Sequence, residues 1–190
     1  MSNEPFPENC QDCDSFSRCC FGHEVLECPR NQEAAEAVRQ AKLVLLIAPD
    51  RRLREKCSPV PFINETVVAL GRFLESQLDP LEAAGLAAPQ FGLLTRIIAV
   101  RIDNQTTRAI VNPVITRERG EHFVYEACRS LPGRQYKVKR PKIVKVKGLG
   151  LDGSAITVKG SDFLAQVLVH EIQHLDGIML DTIGTPHPVV

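Results

Sequence analysis

The chain has no surplus of either charge, no long apolar run and no internal repeat. Lys plus Arg and Asp plus Glu number 23 each, so no global field draws it to nucleic acid, an anionic membrane or a strongly charged substrate. No stretch of about 18 apolar residues is present to span a bilayer, and the first thirty residues are polar, acidic and cysteine-bearing, unlike a secretory signal. The expectation is a cytoplasmic location and a partner that is small or nearly neutral. Also missing is the strand-helix-strand alternation of a doubly wound sheet, which favours α+β.

What is present suffices for one core, because 44% of the 190 residues are hydrophobic. Seven cysteines form an odd set, and in a reducing compartment they suit metal ligation or free thiols better than a disulfide framework. Five of them, Cys10, Cys13, Cys19, Cys20 and Cys28, fall in residues 1–30, an extension too polar to build a core of its own. A second metal site there, zinc or an iron-sulfur cluster, stands against free thiols as the alternative. The expected organisation is thus a Cys-rich extension over 1–30, a catalytic domain over 31–184 and a flexible tail over 185–190.

Residues 31–46 are rich in helix formers, with Asn31 placed as an N-cap, and predict a helix bounded by Pro49. A second, amphipathic helix is predicted over 62–78, where Val67, Leu70, Phe73, Leu74 and Leu78 recur about once per turn before Asp79-Pro80. The runs around the loop DNQTT (96–114) and around LDG (143–158) predict antiparallel hairpins. Ser161 is placed to cap a last helix that Gly177 stops.

That last helix carries the strongest chemical signal. In His170-Glu171-Ile172-Gln173-His174 the spacing of four sets both imidazoles on one helical face, where they can share one ion. Phe163, Leu164, Val167, Leu168, Val169, Ile172 and Leu175 surround the motif on most faces, so the helix reads as buried. Unpaired buried imidazole and carboxylate would cost several kcal/mol, which metal binding removes. Hydrolytic sites of this kind take three protein ligands and leave a position for water. For the third ligand the residues alone leave Cys128, His122, Glu126, His187 and the N-terminal cysteines open.

Three separated segments together resemble one family. Gly85-Leu86-Ala87-Ala88-Pro89-Gln90-Phe91-Gly92 is similar to the peptide deformylase motif GxGLAAPQxG, Glu126-Ala127-Cys128-Arg129-Ser130-Leu131-Pro132 to EGCLSxP, and His170 to Gly177 to HExDHLxG. The resemblance runs from about Ala48 to Gly184. It implies a fold in which antiparallel sheets pack around a central C-terminal helix carrying HExxH, with additional N-terminal helices. It also implies removal of the formyl group from N-formylmethionyl peptides of newly synthesised proteins, releasing formate. Cys128, His170 and His174 then hold one divalent ion, Fe2+ by expectation, with Zn2+, Ni2+ or Co2+ able to substitute. Glu171 becomes the general base and acid, while the Gln90 side chain and the backbone N–H of Arg129 donate to the developing oxyanion. Gly85 pairs with the substrate main chain, and Phe163, Gln166 and Val167 face its first side chain. The implied partners are formylated nascent peptides at the ribosome, with no direct nucleic-acid binding, no membrane and a monomeric state.

The sequence departs from the family pattern at Ala83 and Ala127 in place of Gly, Arg129 in place of Leu, Val169 in place of Gln and Gln173 in place of Asp. Gln173 matters most, since carboxylates behind metal ligands fix their orientation and raise their basicity. Gln166 is more polar than a methionine pocket prefers. Two rival readings follow: another HExxH metallohydrolase, and a deformylase-like binding module with impaired catalysis.

Overall fold

The computed structural model describes Glu36 and residues 43–103 and 105–188. The five N-terminal cysteines, and most of the helix predicted over 31–46, lie outside the described residues. Glu36 is helical, but residues 43–47 are not, so the predicted helix does not reach 46. Its apolar end instead runs over the protein, with Leu43, Leu45 and Leu46 packed against the core and Val44 left exposed. The backbone donors there find partners across the chain: Leu46 N–H bonds the Gln90 carbonyl at 2.7 Å and Ala48 N–H bonds the Ser130 carbonyl at 2.9 Å. Tertiary hydrogen bonds have overridden local helix preference.

The amphipathic helix forms as α1 (Glu65–Gln77), with Asn64 accepting from Val67 N–H at its N-terminus. Strands β1 (Gly85–Ala87), β2 (Ile97–Arg101), β3 (Thr107–Arg119), β6 (Ile143–Leu149) and β7 (Ala155–Ser161) make one antiparallel sheet in the order β1-β2-β3-β6-β7. The two predicted hairpins are β2–β3 and β6–β7. Strands β4 (His122–Cys128), β5 (Leu131–Arg140) and β8 (Thr185–His187) make a second sheet, with β5 in the centre. Strand β8 corrects the expected flexible tail for residues 185–187, because Gln135, Tyr136 and Lys137 of β5 pair with His187, Pro186 and Thr185.

Helix α2 (Asp162–Leu175) lies against the inner face of the larger sheet, and α1 covers the other face. This double cover explains why β2 reads Ile-Ile-Ala-Val rather than alternating apolar and polar. Ile98 and Val100 meet Leu168, Ile172 and Leu175 of α2, while Ile97 and Ala99 meet Leu70 and Leu74 of α1 and Leu78 just past its end. The last short helix, α3 (Leu180–Ile183), adds Leu180 to a third apolar cluster with Leu53, Leu131, Tyr136, Val138 and Met179, and Cys128 belongs to that cluster too.

Ser161 occupies the N-cap of α2 but its side chain makes no capping bond, contrary to the expectation. The C-terminal end is as expected: Gly177 has φ 73° and donates to the His174 carbonyl at 3.1 Å. A β-carbon there would also collide with the Arg54 carbonyl, so both conformation and space call for glycine.

Candidate active site

Helix α2 offers His170, Glu171 and His174 from one face, and the end of β4 brings Cys128 to them. His170 Nε2 and His174 Nε2 stand 3.2 Å apart, and Cys128 Sγ is 3.3 Å from His174 Nε2. The three donor atoms all lie within 4.8 Å of one another, and among the described residues this is the one such group of three. Tetrahedral bonds of about 2.0–2.3 Å would separate two nitrogens by about 3.4 Å and a nitrogen from a sulfur by about 3.6 Å, so the donors stand close to positions that one ion would hold. Of the other candidates for the third ligand, those within the described residues do not join. His187 stacks on Tyr125 at 4.3 Å between ring centres, and His122 and Glu126 lie outside the group.

Glu126 has a different task. Its carboxylate accepts two bonds from Arg140, 2.7 Å from Nε and 2.6 Å from the second guanidinium nitrogen, and meets His170 Nδ1 at 3.1 Å. The remaining Arg140 nitrogen donates to Gln173 Oε1 at 2.7 Å. Arg140 is only 2% exposed and Glu126 8%, so this is a buried relay from a guanidinium through a carboxylate to the imidazole. Burial opposes the charge on Glu126, but the bonds from Arg140 and His170 win and hold its pKa below the ordinary value. Burial likewise opposes protonation of His170, and Cys128 and Glu126 overcome it, raising the pKa to about 10. His174 goes the other way, well below its usual value, through burial first and then the positive charges of His170 and Arg140.

Glu171 lies 4% exposed, and its Oε2 has no hydrogen-bond partner in the protein. Burial raises its pKa to about 7, against the opposing pull of His170. A carboxylate at that value accepts and returns a proton near neutral pH. The approach of Glu171 to β1 depends on Gly85: a β-carbon there would stand 2.7 Å from Glu171 Cγ and Oε1 and from Val167 Cγ1.

Gln90 is buried in the turn after β1. Its Oε1 accepts from Ala87 N–H at 2.9 Å, leaving Nε2 to donate to Ser130 Oγ at 3.1 Å and to lie 3.8 Å from Cys128 Sγ. The amide is thereby oriented with its donor beside the Cys128, His170 and His174 group. One cleft of about 540 Å³ opens beside these residues. Gly85, Gln90, Glu126, Cys128, Arg129, Phe163, Gln166, Val167, His170 and Glu171 line it, so every residue singled out for catalysis or substrate contact from the motifs reaches the same space except His174, which sits behind. Phe163 stands at its edge, 66% exposed. Ser130 and Arg140 were not anticipated, nor was Glu126 as the residue that orients His170. One signal was available for Arg140: it falls on the inward parity of Tyr136-x-Val138-x-Arg140, and an arginine on a buried face needs a partner.

The family model described as polypeptide deformylase matches residues 42–187. A peptide deformylase of Thermomicrobium roseum is 42% identical over 138 residues, covering 68% of this chain and 78% of its own. Peptide deformylase 2 of Clostridium acetobutylicum is 36% identical over 155 residues, covering 80% of this chain and 98% of its own. Among solved structures, a peptide deformylase from Legionella pneumophila superposes with a TM-score of 0.73 at 34% identity, covering 77% of this chain and 88% of that one. That of Synechococcus elongatus in complex with actinonin gives 0.72 at 28% identity, covering 76% and 79%.

Proposed function

The chain belongs to the peptide deformylase family, and from that premise we propose that its cleft hydrolyses the formyl amide of N-formylmethionyl peptides, using Cys128, His170 and His174 as ligands of one divalent ion. The observation that carries the reading is the grouping of those three donors beside the cleft that Glu171 and Gln90 line. Fe2+ is the ion proposed, with Zn2+, Ni2+ or Co2+ as substitutes. When bound, it supplies Lewis acidity that makes water a source of hydroxide near neutral pH.

The protein's own groups do the rest. Glu171 takes a proton from the attacking water, as oxygen adds to the formyl carbon. Gln90 Nε2 and the backbone N–H of Arg129 donate to the carbonyl oxygen as it becomes an oxyanion. One such donor is worth about a hundredfold or more. Glu171 then passes the proton to the amine nitrogen as the C–N bond breaks, leaving formate and a free amine. Glu126, held by Arg140, fixes the orientation and charge of His170. Phe163, Gln166 and Val167 receive the first side chain of the substrate, and the Gly85 backbone pairs with its main chain.

Among the described residues no helix is long and apolar enough to cross a membrane. The proposed setting is the cytoplasm, on formylated nascent peptides, with the protein acting as a monomer. The extension over residues 1–30 is proposed as a second metal-binding segment, and Cys10→Ser with Cys13→Ser should lower the metal content per chain without emptying the cleft; unchanged content would dispose of it.

The deciding experiment is anaerobic purification with iron or nickel, metal counting, and formate release from formyl-Met-Ala-Ser. The wild type should release formate, and Glu171→Gln should lose about two to four orders of magnitude in rate while keeping its metal. No formate from the metal-loaded wild type would refute the reading.

A further inference from the structure

The cleft has a deep end and an outer end. Gly85 and Glu171 mark the deep end, so close that a β-carbon on Gly85 would stand 2.7 Å from Glu171. At the outer end Arg129 reaches from one wall to the other: a guanidinium nitrogen donates to the Glu82 backbone carbonyl at 2.6 Å and stands 3.7 Å from the Glu82 carboxylate. Both side chains are open to solvent, 45% and 88% exposed. Arg134 borders the same cleft, is exposed, and has no ion pair among the described residues. The rim therefore carries two guanidinium groups against one loosely placed carboxylate.

Glu82 precedes Gly85 by three residues, so the two are at most about 10 Å apart along the wall at about 3.3 Å per residue. An extended peptide whose formyl group lies beside Glu171 and whose main chain passes Gly85 carries the side chains of its second and third residues to that distance. We propose that Arg129 and Arg134 select formyl peptides with an acidic side chain, Asp or Glu, at the second or third position. A peptide carboxylate gives Arg129 the paired, charge-assisted acceptor that the Glu82 carbonyl and its 3.7 Å carboxylate do not. The family pattern has leucine where this chain has Arg129, so the selectivity belongs to this chain's own rim. It rests on the deformylase reading of the cleft.

The test compares kcat/KM for formyl-Met-Glu-Ser, formyl-Met-Gln-Ser and formyl-Met-Lys-Ser with the metal-loaded full chain. The acidic peptide should lead the amide by about threefold to tenfold, and the lysine peptide should trail both. The lead should shrink at about 0.5 M salt, where the screening length is only a few ångströms. Arg129→Leu and Arg134→Ala should each reduce the ratio of acidic to amide rates. Glu82→Gln should raise it, since it removes the competing carboxylate and leaves the backbone carbonyl in place. Equal rates on all three peptides, or an Arg129→Leu variant that slows all three alike, would overturn the selectivity while leaving deformylation intact. No formate from any of them would overturn both.

Discussion

The relay behind His170 makes a quantitative claim about Glu126→Gln. In the wild type one carboxylate serves two cationic neighbours, Arg140 through two bonds of 2.7 and 2.6 Å and His170 at 3.1 Å. Among the described residues the one other acceptor for Arg140 is the neutral amide oxygen of Gln173 at 2.7 Å. Removing the carboxylate thus strands a guanidinium that is 2% exposed. Breaking a buried pair in this way costs about 3–5 kcal/mol, which for a domain of this size lowers Tm by about 6–20 °C. Adding Gln173→Asp restores a negative charge on the other side of Arg140, and a bond to a charged group returns about 1.5–3 kcal/mol. It cannot reach the task at His170 Nδ1, so metal affinity, reduced about 10-fold to 100-fold by Glu126→Gln, should stay reduced in the double variant. Thermal unfolding of the metal-free protein followed by circular dichroism, with metal affinity by chelator competition, separates the two effects. A loss below about 1 kcal/mol in Glu126→Gln, or a double variant that regains metal affinity together with Tm, would refute this charge balance.

Three further outcomes are expected. Gly85→Ala drives a β-carbon to 2.7 Å from Glu171 and Val167, so formate release should fall by about two orders of magnitude at a stability cost of about 1–3 kcal/mol, and an unchanged rate would show that the close approach is dispensable. Ser130→Ala removes the acceptor that orients Gln90 Nε2 at 3.1 Å and should lower kcat by about fivefold to tenfold with KM little changed, which steady-state kinetics will show. Cys57 is buried, and desolvation pushes its thiol up to about 11, so iodoacetamide near pH 8 should label it about two orders of magnitude more slowly than in the unfolded chain; equal rates by mass spectrometry would contradict that burial.

The parts of this protein that were legible in the sequence are those whose signal is local. Helix α1 announced itself by apolar residues one turn apart, and the β2–β3 and β6–β7 hairpins by β-branched runs around polar turns. The HExxH spacing set two imidazoles on one helical face without any knowledge of the rest. The hairpin β4–β5 escaped because its pattern is masked: Phe123 and Tyr125 stand exposed on the outer face while Val124 points inward, so apolar residues occupy both parities. The segment 43–47 misled for the opposite reason, since its run of leucines suits a helix and only hydrogen bonds to Gln90 and Ser130, more than forty positions away, make it extended.

The same distinction explains how the meaning of Gln173 changed. Against the family pattern it reads as a lost carboxylate, a deficit to be weighed on its own. In the structure it is the fourth member of a chain running His170, Glu126, Arg140, Gln173, drawn from α2, β4 and β5. Only His170 and Gln173, three apart on α2, are joined by a local spacing; Glu126 and Arg140 reach them because β4 and β5 pair and carry those side chains to the helix. With a neutral amide at 173, Arg140 has Glu126 as its single anionic partner among the described residues, and Glu126 must in turn divide its charge between Arg140 and His170. On the proposed reading the substitution therefore acts three links along that chain, on the electron-donating power of His170 rather than on the proton that Glu171 moves. On that reading a defect of this kind should weaken retention of the ion before it touches the proton transfer, and formate release should recover when it is measured with excess iron or nickel.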